Sequence, residues 1–245
     1  MNRRTFGALI ATVSLIAILR PLDGRGRRAR PDAPGTVKGT ISFQGAKPHL
    51  PEINMAQDKV CASEQNGPVY PQDGQVNGNG TLPNVFVYVK SGLDNKTYPA
   101  PSTSVTLDQR RCEYVPHVLG IMVGQPLQVV SEDPTTHNIH VMAKENRSWN
   151  VSQQPGAPAL TEHFTHPEIM IAVKCNEHPW MKAYIGVTTN PFYAVSGDEG
   201  TFAIKNLPPG RYTIAAWTAT FGTQEQQVTV EAGETATANF AFESR

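Results

Sequence analysis

Cys175-Asn176-Glu177-His178-Pro179-Trp180-Met181 sets a thiol, an imidazole and a thioether three residues apart in turn, so one tight loop can present all three to a single ion. Two sulfurs with an imidazole favour a soft or borderline metal, and a Cys-His₂ set with a weak axial Met is the donor set of type 1 (blue) copper. The set lacks one imidazole. Asp133-Pro134-Thr135-Thr136-His137-Asn138-Ile139-His140 offers two at the head of a predicted strand. Residues three apart on a strand point to opposite faces, so His137 and His140 cannot both reach the ion.

Outward from this loop the chain reads as β throughout. Its 245 residues include 20 Gly and 20 Pro, and only 17% are charged, which suits short strands joined by turns. Strands are predicted at 36–43, 85–89, 105–107, 119–123, 127–130, 139–142, 169–173 and 184–188, and again at 200–204, 212–217, 226–230 and 236–242. Residues 51–83 read as irregular and polar, and 143–168 as a long polar loop with a short helical turn. No stretch offers an amphipathic helix of useful length, and there is no repeat or heptad pattern.

The loop Cys175-x-x-His178-Pro179-Trp180-Met181 resembles that of the cupredoxins, amicyanin in particular. His137-Asn138 followed by an apolar residue and His140 resembles the strand that carries their first ligand. Tyr114-Val115-Pro116 and Gly124-Gln125-Pro126-Leu127 are similar to their opening strands. The resemblance covers roughly residues 110–188. It implies a Greek-key β-sandwich holding one mononuclear copper through His137, Cys175, His178 and Met181, with Asn138 bracing the metal loop and bonding to the Cys sulfur. The Asn after it favours His137 over His140. The resemblance further implies that the edge of His178 projects through an apolar patch, flanked by Pro179 and Trp180, as the exit for electrons. Thr136 departs from the Pro often found before the first His, which leaves the shape of that rim open.

A second resemblance covers the rest. Gly200 to Ile214 carries the G-x-F-x-I-x-x-L-P-P-G-x-Y-x-I pattern of the carboxypeptidase-regulatory-like β-sandwich, and Gly35 to Ile41 its G-x-V-x-G-x-I opening. The fold class expected is therefore all-β, with two small sandwiches. Residues 35–108 and 195–245 would form the regulatory-like one, with the cupredoxin domain at 110–188 inserted between them; a simple tandem of β modules is the alternative.

The formal net charge of zero hides an asymmetry. Residues 1–30 hold seven Arg against one acid, and the remainder holds 14 basic and 20 acidic residues. An acidic body has no basic stripe for phosphate backbones, which argues against nucleic acid and for a basic protein partner, such as a c-type cytochrome. Arg3 and Arg4 precede an apolar run from Phe6 to Leu19, so residues 1–19 read as a signal peptide or membrane anchor, followed by a disordered linker at 20–34. Arg3-Arg4-Thr5-Phe6 resembles a twin-arginine signal. No A-x-A cleavage site follows, so an uncleaved anchor or a misassigned start stands beside export to the periplasm or cell exterior.

In an exported protein the two remaining cysteines, Cys61 and Cys112, usually pair; two reduced thiols are the alternative. His117, His163 and His166 lack a carboxylate or Cys at ligand spacing and read as ordinary histidines rather than a second metal site. Four protein ligands leave no open position for substrate, so the expected role is electron transfer and not enzymatic catalysis. The chain has neither the H-x-H pairs of a trinuclear copper cluster nor a second Cys in the loop for a binuclear one. The competing role is a copper-binding storage, delivery or cell-surface structural module.

Overall fold

A computed structural model describes residues 30–94 and 96–244, so the expected leader at 1–19 and most of the linker lie outside the described residues. In chain order the elements are β1 (Gly35–Gln44), α1 (Lys59–Glu64), β2 (Phe86–Ser91), β3 (Val105–Arg110), β4 (Glu113–Val115), β5 (Val118–Met122), β6 (Pro126–Ser131), β7 (His137–Met142) and β8 (Trp149–Gln153). They continue with β9 (Leu160–His163), β10 (Glu168–Lys174), β11 (Lys182–Thr188), β12 (Tyr193–Val195), β13 (Thr201–Leu207), β14 (Gly210–Thr218), β15 (Gly222–Val230), β16 (Thr235–Thr237) and β17 (Phe240–Glu243).

Four sheets make two sandwiches. In the first, β13-β1-β16, with β17 also paired to β1, faces β12-β2-β14-β15. Alternating residues such as Ile41, Phe43, Phe202, Ile204, Ile214 and Ala216 point into one core between them. In the second, β5-β11-β10-β7-β8 faces β4-β3-β6-β9 around Leu107, Tyr114, Ile121, Leu127, Ile139 and Ile185. Burial of this many aliphatic side chains gives each body its own hydrophobic stabilisation.

The chain starts in the first sandwich, leaves after β2, builds the second from β3 to β11, and returns at β12. One boundary differs from the expectation at residue 108. β3 lies parallel to β6 and antiparallel to β4, so the crossing falls between Ser91 and Val105. The single expected strand at 236–242 is broken into β16 and β17, which pair with successive parts of β1.

Two polar segments are more structured than their patterns suggest. β8 and β9 occupy the expected loop at 143–168, as antiparallel partners of β7 and β6 at the sheet margins, where one apolar face is not required. The irregular stretch at 51–83 contains α1, whose first turn is capped by Asp58. Its first part packs on the second sandwich, with Met55 and Cys61 in that core, while Val76 and Leu82 pack on the core of the first.

The sandwiches meet through a pair of glycines. Gly120 and Gly186 are register partners on β5 and β11, and a Cβ on Gly186 would stand 2.4 Å from the ring of Phe86. Only a bare backbone admits that ring, so a side chain at either position would push the two bodies apart.

Candidate metal centre

β10 ends at Lys174 and β11 begins at Lys182, and the loop between them is closed on itself. Met181 N–H donates to the His178 carbonyl at 2.9 Å, and Cys175 N–H donates to the Met181 carbonyl at 3.2 Å. These two bonds fold Cys175, His178 and Met181 around one turn. All three are buried, with relative exposures of 2%, 4% and 1%.

β7 brings His137 to the same place, fully buried. Its Nδ1 lies 3.0 Å from Nδ1 of His178, and Cys175 Sγ lies 3.7 Å from that same His178 nitrogen. His137, Cys175 and His178 thus offer one donor atom each within 4.8 Å of one another. His140 falls on the other side of β7, where its Nδ1 is 3.2 Å from Asn176 Oδ1. Asn138 sits between the strand and the loop. Its backbone N–H donates to Cys175 Sγ at 3.4 Å, and its side-chain oxygen accepts from the N–H of Asn176. Tyr114 supports β7 from below by donating to the Asn138 carbonyl at 2.6 Å.

Two carboxylates absent from the sequence reading complete the arrangement. Asp133 accepts from His137 Nε2 at 2.7 Å, and Asp58 accepts from His178 Nε2 at 3.0 Å. Each ring therefore spends its outer nitrogen on an acid and turns Nδ1 inward, which is how carboxylates orient ligating imidazoles. Asp133 was within reach of a sequence argument, four residues before His137. Asp58 was not, because it lies 120 positions from its imidazole.

Asp133 does more than hold a ring. Arg111 and Cys112 form the two-residue turn between β3 and β4, with φ of 56° and 55°. Such a turn matches the twist of a hairpin but is costly for residues other than Gly, Asn or Asp. The Asp133 carboxylate accepts both of their N–H groups, at 2.5 and 2.7 Å, and so fixes the turn. The expected bond between Cys112 and Cys61 is present, with Cα atoms 5.5 Å apart, and ties α1 down over the site.

The electrostatics favour a cation. Burial raises the Cys175 thiol, but hydrogen bonding with His137 and with the backbone N–H groups of Asn138, His178 and Glu177 outweighs it, bringing the group down to about 7. Burial alone would lower His137; the hydrogen bond to Asp133 and then that to Cys175 reverse this and raise it to about 9. Without a cation, thiolate and imidazolium stabilise each other. A soft cation can replace the proton between them, and the buried thiolate with two inward Nδ1 atoms and a neighbouring Met fits copper as a donor set.

The outer face departs from the expected exit. His178 does not project to the surface: Asp58 covers its Nε2, and Cys61 Sγ lies 3.6 Å from the same atom. Trp180, half-buried, leans on the His178 ring at a centroid distance of 5.1 Å and donates its Nε1–H to the Cys112 carbonyl at 3.0 Å. Pro179 is exposed, and the two line a groove with Ile53 and Tyr70. His163 and His166 are exposed in and beside β9, and His117 is taken up by Asp73 elsewhere.

The chain is an all-β protein of two sandwiches, one of which encloses a buried thiol–imidazole centre. Comparison with known proteins finds one family profile and several similar solved structures. A family profile for the carboxypeptidase regulatory-like domain matches residues 176–243, beginning inside the metal loop and running through the first sandwich's C-terminal strands. No curated protein matches. Among solved structures the chain is similar to a copper-containing nitrite reductase from Thermus scotoductus, at 21% identity and a TM-score of 0.34, over 41% of this chain and 26% of that one. It is also similar to a Cu(I) form of an amicyanin variant, at 17% identity and a TM-score of 0.31, over 42% of this chain and 98% of that one. A third is a purple cupredoxin from Nitrosopumilus maritimus, at 22% identity and a TM-score of 0.27, over 31% of this chain and 82% of that one. The chain spans about a quarter of the nitrite reductase's length.

Proposed function

We propose that this chain is a type 1 copper protein that carries single electrons between extracytoplasmic partners. His137, Cys175, His178 and Met181 would hold the ion, and copper bound there would supply a reversible one-electron couple. The carrying observation is the pair of Nδ1 atoms 3.0 Å apart beside a buried thiol, each ring backed by a carboxylate. Burial excludes water from the donors, and the hydrogen bonds that fix both rings limit their movement between oxidation states. That combination suits electron transfer better than turnover of a substrate.

The partner in this reading is a basic redox protein, such as a c-type cytochrome. The acidic body supplies long-range attraction, and Pro179 and Trp180 supply an apolar contact next to the loop. One specific observation favours the storage or delivery reading instead: His178 lies beneath α1, and a covered ligand retards exchange with a partner.

A single experiment addresses both. The protein is loaded with Cu(II) and its visible and electron paramagnetic resonance spectra are recorded; it is then reduced to Cu(I) with ascorbate, the excess is removed, and its re-oxidation by a basic and an acidic ferricytochrome is followed across a salt series. An intense thiolate-to-copper band with fast transfer to the basic cytochrome, slowing as salt rises, is expected. A band without transfer would leave storage, and no band would overturn the copper assignment.

A further inference from the structure

The outer imidazole of the centre is held by a residue that belongs to neither strand of the site. Asp58 heads a strap between β1 and β2, near the start of α1. One of its oxygens accepts from Val60 N–H at 2.8 Å and Cys61 N–H at 3.0 Å, capping the helix. The other accepts from His178 Nε2 at 3.0 Å and, more loosely, from Thr135 Oγ1 at 3.4 Å. The strap is fastened three residues on, where Cys61 is bonded to Cys112 on the turn that Asp133 holds.

This geometry selects one form of the ring. A neutral imidazole has one N–H and one lone pair, so a ring that donates from Nε2 must present its lone pair at Nδ1. Nδ1 is the atom that faces His137 and Cys175. A carboxylate behind the N–H also makes the ring a better donor to a cation, and to the more highly charged one most of all.

We propose that Asp58 is a positioning residue of the metal centre: carried on a disulfide-fastened strap, it holds His178 in the Nδ1-ligating tautomer and seals its outer edge from the surface. The inference rests on the copper reading above.

The test uses Asp58→Asn and Asp58→Ser. Both replacements keep an N-cap oxygen for α1 and remove the carboxylate charge that faces His178. The first readout is nitrogen NMR of the His178 ring in the metal-free protein. Wild type is expected to be Nε2-protonated when neutral, and both variants to shift several-fold toward the other tautomer. The second readout is metal binding, where Cu(II) affinity is expected to fall about tenfold. If Cu(I) affinity is unmoved, that converts to a rise of about 59 mV in midpoint potential. An unchanged tautomer and an unchanged potential in both variants would overturn the proposal. If wild-type protein forms no blue centre, the copper reading fails, while the metal-free measurement still decides whether Asp58 holds the ring.

Discussion

Among the described residues three imidazoles have a carboxylate behind them, and they divide between two regions. In the metal centre, His137 and His178 give Nε2 to Asp133 and Asp58, and both Nδ1 atoms turn toward each other beside Cys175. At the junction of the sandwiches, His117 gives Nε2 to Asp73 at 3.0 Å, but its Nδ1 is spent on the Lys182 carbonyl at 2.9 Å. The other oxygen of Asp73 accepts from Tyr184 at 3.1 Å and Lys182 at 3.5 Å. Both regions contain the same acid–imidazole pair, yet only one has donors left over. A carboxylate-backed histidine becomes a metal ligand when its second nitrogen faces another soft or nitrogen donor, and a structural link when that nitrogen faces a carbonyl.

The largest effects should separate these regions. His137→Ala removes an inward Nδ1 and is expected to lower Cu(II) affinity by more than about a hundredfold, beyond what changes outside the ligand set cost, and to abolish the intense band. His117→Ala and His140→Ala should each leave affinity within about threefold and the spectrum in place. Titration of the three variants with Cu(II), followed by absorbance, checks this. Loss of the band in His140→Ala with retention in His137→Ala would reverse the assignment of β7, and loss in His117→Ala would dissolve the distinction between the two regions.

The next effect concerns how each region is fastened. The junction is held by hydrogen bonds and the glycine-seated Phe86 ring, whereas the strap over His178 is held covalently across a sequence separation of 51. Removing that link with Cys61→Ala and Cys112→Ala together is expected to cost about 4 kcal/mol in the chain-entropy model, read as a lower denaturant midpoint. Amide exchange in Lys59–Glu64 should quicken at the same time, while β5 and β11 at the junction keep their protection. If α1 exchanges no faster, packing of Met55 and the Asp58 contact suffice to hold the strap.

How far the sequence spoke depended on how local each signal was. The loop from Cys175 to Met181 closes through its own backbone, and the His137 strand alternates, so the ligand candidates could be read directly. The turn pattern from Gly200 to Ile214 likewise lies within two adjacent strands. What stayed hidden was either non-local or polar. Asp58 meets His178 only after the strap folds across the second sandwich. β9 consists of Leu160, Thr161, Glu162 and His163, and takes its strand form from the edge of β6 rather than from an apolar face. The covered state of His178 was invisible for the same reason as Asp58: nothing in the loop itself records what packs over it.

The smallest effect tests the junction by pH. Burial raises the Asp73 carboxyl, but its hydrogen bond and charge interaction with His117, with further help from Tyr184 and Lys182, win and hold it below the ordinary value of 3.8. A carboxylate depressed in the folded state contributes stability that is present above its unfolded value and is lost as pH falls through its folded one. Asp73→Asn should therefore cost about 1.5–3 kcal/mol near neutral pH, the range of a hydrogen bond to a charged group. The gap between wild type and variant should then close as pH drops below about 4. Urea midpoints from pH 6 to pH 3 measure it. Because Lys182 follows the metal loop directly, the copper spectrum of Asp73→Asn is a second check: an unshifted band would show that the junction supports the fold without reaching the centre, and a shifted one would mean that the two regions are coupled through β11.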